Sequence, residues 1–229
     1  MRLVSILGDS ISTFEGYNPP GYSVFYDKEM KEKNGLISVY DTWWAKVIQA
    51  FHAYLCMNNS YSGSRVSGDA FPAASSMERT CSLGNGGAYP DIVLVYIGYN
   101  DFGNGVRINR ESPAELDLFS FEDAYRLMLT RIKANYPSTR IICGTLMRTS
   151  VKGHQDWTFP ESYKGVAFEL YNDVIRKIVS ECGFDIADLA GKGVSYETLD
   201  GSHPTSVGHI TLANAWIEAL DGLGLVDPI

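Results

Sequence analysis

The sequence predicts an α/β fold in which a parallel sheet of five strands carries helices on both faces. Two observations lead there: five short runs rich in β-branched residues recur along the chain, and segments of helical period lie between them. Strand and helix therefore alternate, which is the pattern of a parallel sheet buried by its crossover helices. The 229 residues are 45% hydrophobic and 20% charged, enough for a large core and against a disordered or low-complexity chain. No repeat or linker-like stretch divides them, so one domain is expected over residues 1–229.

The strands are expected at Leu3–Leu7, Ala53–Met57, Ile92–Ile97, Arg140–Leu146 and Phe184–Leu189. Behind Asp41, the residues Trp43, Trp44, Val47, Ile48 and Phe51 repeat at helical spacing, and Trp43 and Trp44 read as core. Tyr125, Met128, Leu129 and Ile132 do the same behind Ser120, which forms a capping-box start with Asp123; Pro137 marks the stop. A longer helix is expected from about Glu161 to Cys182, with Gly183 as its left-handed C-terminal residue, and a last one starts near Pro204 to Ser206. His52 and His209 fall in helices. Gly16–Tyr40 and Thr149–Pro160 break the rhythm and read as long loops after strand ends, where an open α/β sheet builds its binding crevice.

Several function classes are disfavoured. The net charge is −8 and no Lys/Arg run appears, so a nucleic-acid partner is not expected. The longest apolar run, Ile92–Ile97, is far short of the ~20 residues that cross a bilayer. No export signal is visible at the N-terminus, which favours a cytoplasmic location unless a leader has been removed. Cys56, Cys81, Cys143 and Cys182 fit no metal or disulfide spacing and read as buried thiols. GxSxG, a phosphate loop and HExxH are all missing, so no metal or cofactor is expected.

What remains is a serine and its helpers. Ser10 lies in Gly8-Asp9-Ser10-Ile11-Ser12, directly after the first strand, and a serine hydroxyl needs a base to become nucleophilic. His203 stands just ahead of the last helix with Asp200 three residues before it, a spacing that can bring carboxylate to imidazole. His154 is the competing base and is read instead as a substrate contact. Donors for a developing oxyanion are expected in Asn59-Ser60-Tyr61-Ser62-Gly63 and in Gly98-Tyr99-Asn100-Asp101, after the second and third strands. Each of these turns is common when taken alone.

In this order the four turns resemble the blocks of the SGNH hydrolases, the GDSL family of esterases and lipases. The resemblance covers nearly the whole chain and implies a flavodoxin-like three-layer α/β/α sandwich. It implies Ser10 as nucleophile, His203 as base, Asp200 as its orienting acid, the N–H groups of Ser10 and Gly63 with the Asn100 amide as oxyanion hole, and Asp9 as support for the Ser10 turn. Ile11-Ser12 stands where many members carry Ile-Thr or Leu-Thr, and the long aromatic segment after the first block is less typical.

The expected activity is hydrolysis of carboxylic esters through an acyl-enzyme, leaning to short acyl esters of carbohydrates because aromatic loop residues can stack on sugars. Tyr22, Tyr26, His154 and Trp157 are the expected substrate contacts. An acyltransferase, a lysophospholipase or thioesterase, and a non-catalytic glycan- or nucleotide-binding module are the alternatives. The expected partner is a small-molecule ester; the sequence does not indicate an oligomeric state.

Overall fold

The computed structural model describes residues 2–112 and 115–225. In chain order its strands are β1 (Leu3–Gly8), β2 (Tyr54–Ser60), β3 (Ile92–Tyr96), β4 (Arg140–Gly144), β5 (Arg148–Val151), β6 (Ser162–Tyr163), β7 (Val166–Ala167), β8 (Asp185–Ala187) and β9 (Ser195–Thr198). The helices are α1 (Lys28–Lys33), α2 (Trp43–Ala50), α3 (Met77–Cys81), α4 (Tyr99–Asn104), α5 (Phe121–Asn135), α6 (Phe168–Cys182) and α7 (Ser206–Gly222). Five strands form an all-parallel sheet in the order β2-β1-β3-β4-β8. Helix α2 packs on α7, and α5 packs on α3 and α6, completing a flavodoxin-like three-layer α/β/α sandwich. Strand order reverses between β1 and β3, so the turns that leave these neighbours flank the point where such sheets bind their ligands.

The core explains the aromatic content. Trp43 and Trp216 stack at 5.3 Å between ring centroids where α2 meets α7, and both are fully buried. All five residues of β3 are buried, as the central strand of a covered sheet requires.

Local chemistry moves several expected boundaries. Helix α2 is capped by Thr42, whose hydroxyl accepts the Ala45 N–H, while Asp41 accepts the Ile37 and Ser38 N–H groups one turn earlier. Ser120 caps α5 by accepting from the Asp123 N–H, but the buried Asp123 carboxylate is taken by Arg110 and the Asp117 N–H, so the capping box is half made. The helix expected from Glu161 starts only at Phe168, because β6 and β7 pair as a hairpin. Lys164 and Gly165 occupy its turn with φ of 48° and 83°, the left-handed pair that a two-residue hairpin needs. The expected loop Thr149–Pro160 begins inside β5, which pairs in parallel with β9, and the expected loop Gly16–Tyr40 contains α1. His52 lies in an exposed turn after α2 rather than in it, whereas His209 is buried in α7.

All four cysteines are free; Cys56 and Cys143 are buried as expected, but Cys81 is exposed and Cys182 half-buried. Among the described residues no helix is long and apolar enough to cross a membrane.

Candidate active site

The turn after β1 is a single 3-10 turn, Ser10–Ser12, capped by Asp9, whose Oδ1 accepts the Ile11 N–H at 3.0 Å. Ser10 is nearly buried and its Oγ lies 2.9 Å from His203 Nε2. On the other side of the ring His203 Nδ1 lies 2.7 Å from Asp200 Oδ2. Asp200 Oδ1 also accepts the backbone N–H groups of Ser202 and His203. Burial alone would raise the Asp200 carboxyl, but the His203 side chain and these two N–H groups hold it down at about 2. An ionised carboxylate cannot donate, so the imidazole carries its hydrogen on Nδ1 and presents a lone pair at Nε2 to the Ser10 hydroxyl.

The loop that carries Asp200 and His203 is pinned from behind. Tyr26 Oη donates to the Pro204 carbonyl at 2.7 Å and Tyr196 Oη to the Ser202 carbonyl at 3.0 Å, so buried phenols hold the chain on both sides of His203. Phe25 stacks face to face on the imidazole, with centroids 3.4 Å apart and planes 7° from parallel.

Three potential donors converge on the same end of the sheet. Gly63, after β2, has a φ of 81° and open space where a side chain would stand, so its N–H can be approached closely. The Ser10 and Gly63 N–H groups donate to no other group among the described residues. Asn100, in the first turn of α4, donates one amide hydrogen to the Ser64 carbonyl at 3.0 Å and keeps a second. Asp101 ties the two turns together, accepting the Val66 N–H at 2.7 Å and the Ser67 N–H at 3.0 Å.

A family model described as GDSL-like Lipase/Acylhydrolase matches residues 2–159, well over half of the chain. The chain belongs to the GDSL-like lipase/acylhydrolase family. Membership makes it an enzyme that hydrolyses ester bonds. This GDSL-like hydrolase also resembles solved structures over nearly its whole length. A GDSL-like lipase from Bacteroides ovatus is 26% identical, with a TM-score of 0.74 over 97% of this chain and 99% of that one. One from Bacteroides uniformis is 27% identical, with a TM-score of 0.73 over 97% and 96%. A carbohydrate acetylesterase from Sinorhizobium meliloti shares the fold at 14% identity, with a TM-score of 0.61 over 97% and 100%. A search of curated proteins finds no match.

Electrostatically the floor of the hydrolase site is unusual. Asp9 is buried, its Oδ2 has no hydrogen-bond partner among the described residues, and desolvation pushes its carboxyl up to about 7. Burial likewise raises Asp101 to about 6, against its two N–H bonds. A raised acid holds a proton in the fold that the unfolded chain releases near the ordinary value of 3.8, so Asp9 withdraws stability as pH climbs from about 4 through 7. Asp9→Asn, with no proton to lose, is expected to flatten the fall of Tm over that window in thermal melts; an unaltered slope would mean Asp9 does not titrate there.

The expected substrate contacts separate. Tyr22 stands half-buried at a rim, edge-to-face with Tyr61 and the exposed Phe71. Trp157 packs on the Asp200–His203 turn, its ring 3.2 Å from where a Gly201 side chain would begin. Tyr26 does not face the crevice: its ring is fully buried and its hydroxyl is engaged with Pro204, since the strap from β1 dives under His203 at this point. His154 is exposed on the turn after β5 and shares no hydrogen bond with Ser10 or His203. Phe25, an aromatic of the Gly16–Tyr40 loop expected at the crevice, reaches the site by stacking on His203. Tyr196 and Arg79 adjoin the site with no signal in the sequence: Tyr196 is one aromatic among many, and Arg79 lies in a five-residue helix with no apolar period to announce it.

Proposed function

We infer that this hydrolase is a serine esterase in which Ser10 Oγ attacks the ester carbonyl while His203 Nε2 takes its proton. Asp200 fixes the tautomer and stabilises the imidazolium so formed. The carbonyl oxygen, now negative, accepts hydrogen bonds from the Ser10 and Gly63 N–H groups and the free Asn100 amide hydrogen. Collapse of the tetrahedral intermediate breaks the bond to the alcohol oxygen, which leaves with the proton from His203. The resulting acyl-Ser10 is hydrolysed by water activated at the same nitrogen, returning the enzyme. The observation that carries this reading is the unbroken hydrogen-bonded chain from Asp200 Oδ2 through both ring nitrogens to Ser10 Oγ, at 2.7 and 2.9 Å.

Short acyl esters of carbohydrates are the substrate class this reading favours. It is supported by the rim aromatics Tyr22, Phe71 and Trp157, which offer faces for sugar rings, and by the shared fold with the Sinorhizobium meliloti acetylesterase. Turnover of p-nitrophenyl esters is expected to be fastest for acetate and to fall with chain length, with acetylated sugars deacetylated as well. A preference for long acyl chains would contradict this substrate class.

Asn100 serves the transition state in this scheme. Asn100→Ala is expected to lower kcat by about 10²–10³-fold with little change in KM. A variant that melts earlier but keeps its kcat would make Asn100 only a tie to Ser64.

A further inference from the structure

Arg79 is fully buried at the floor of the site, and among the described residues no carboxylate bonds to it. Its five N–H bonds end on neutral oxygens. Nε donates to Asn59 Oδ1 at 2.5 Å, Nη1 to Ser64 Oγ at 2.9 Å and the Pro72 carbonyl at 2.7 Å, and Nη2 to the Gly8 and Asn59 carbonyls at 2.9 and 2.8 Å. A buried cation without a counter-ion is costly, and only complete hydrogen bonding makes it tolerable. Desolvation lowers the guanidinium only to about 10, so it stays charged at neutral pH.

Two of the acceptors, Gly8 and Ser64, belong to the turns that carry the three donors. Gly8 precedes the Ser10 turn by two residues, Ser64 follows Gly63, and the Ser64 carbonyl holds the Asn100 amide. The fork thus joins the ends of β1 and β2 and, through Ser64, reaches α4. We propose that Arg79 is the positioning residue of the oxyanion hole, fixing the spacing of the Ser10, Gly63 and Asn100 donors and placing a buried positive charge behind them. This rests on the Ser10–His203 reading above. A planar five-donor fork can meet all five acceptors at once; an ammonium with three donors cannot, even though it keeps the charge. Since misplacing such groups by about 1 Å costs on the order of 10²-fold in rate, the effect belongs in kcat.

The test compares wild type, Arg79→Lys and Ser64→Ala, the last removing a single bond of the fork. Each is assayed on p-nitrophenyl acetate and for inhibition by an alkyl boronic acid. The boronic acid's boron accepts the Ser10 oxygen, with the proton passing to His203, to form a tetrahedral anion like the intermediate. Arg79→Lys is expected to lose about 10²-fold in kcat, to hold KM within about threefold and to weaken boronate binding by a factor similar to the kcat loss. Ser64→Ala should show the same split at about tenfold. A folded Arg79→Lys with wild-type kcat, or one whose loss lies in KM with boronate binding intact, would overturn the proposal. Should Arg79→Lys fail to fold, Ser64→Ala decides in the same terms, and a wild-type kcat there overturns it. Fluorophosphonate labelling of wild-type Ser10 runs alongside: if Ser10 is not labelled, the esterase reading itself fails, whereas normal labelling with unaffected variants removes only the role of Arg79.

Discussion

Ser10→Ala and His203→Ala are each expected to lower kcat by about 10⁴-fold or more while leaving the fold intact. The reasoning is geometric. Ser10 is 7% exposed, capped into a turn that Asp9 closes, and its hydroxyl contact to a base is His203 Nε2. Removing the base leaves a hydroxyl that is not nucleophilic at neutral pH. Neither side chain fills the core: His203 covers the face of Phe25 from the solvent side and Ser10 is small, so melting temperatures should move little. The two changes act on one unit, so the double variant should be about as slow as either single one. Near-wild-type turnover in either variant, with an unchanged circular-dichroism spectrum, would remove that residue from the mechanism.

Asp200→Asn should be of similar severity, about 10⁴-fold in kcat, for a reason specific to this turn. The Asp200 side chain serves the Ser202 and His203 N–H groups with Oδ1 and the His203 ring with Oδ2. An asparagine will place its single oxygen against the two N–H donors and so turn its amide hydrogens toward Nδ1. The imidazole must then accept there and carry its hydrogen on Nε2, facing Ser10 with a donor instead of a lone pair. The Asp200 side chain is 45% exposed, so the electrostatic part of its contribution is screened and the tautomer carries the effect. Steady-state kinetics on p-nitrophenyl acetate measures the loss; a kcat within tenfold of wild type would show that Asp200 does not set the tautomer.

The fold was legible where residues obey a period. The runs at the five sheet strands are hydrophobic because helices cover them, and the seams of α2, α5 and α7 repeat because one face of each packs inward. The turns of the site were legible because a nucleophile, its base and close-approach glycines demand particular residue types at strand ends. Polar short elements were not. Strands β5 and β9 are four residues each, RTSV and SYET, and hold together through ladder bonds that any sequence can make. The β6–β7 hairpin depends on a left-handed Lys164, which no period reports. Tyr26 shows the limit for function: its loop does reach the site, but whether a tyrosine there faces the crevice or braces the chain behind His203 depends on a contact 178 residues away in sequence. Arg79 is the same kind of case, its role defined by acceptors on β1, β2 and the Ser64 and Pro72 turns.

The most direct measurement is covalent. The wild-type enzyme incubated with a fluorophosphonate should gain the mass of one phosphonyl group, mapped by peptide mass spectrometry to Ser10, and His203→Ala should slow that labelling by orders of magnitude. Labelling at another serine, or at Ser10 with a rate indifferent to His203, would contradict the account.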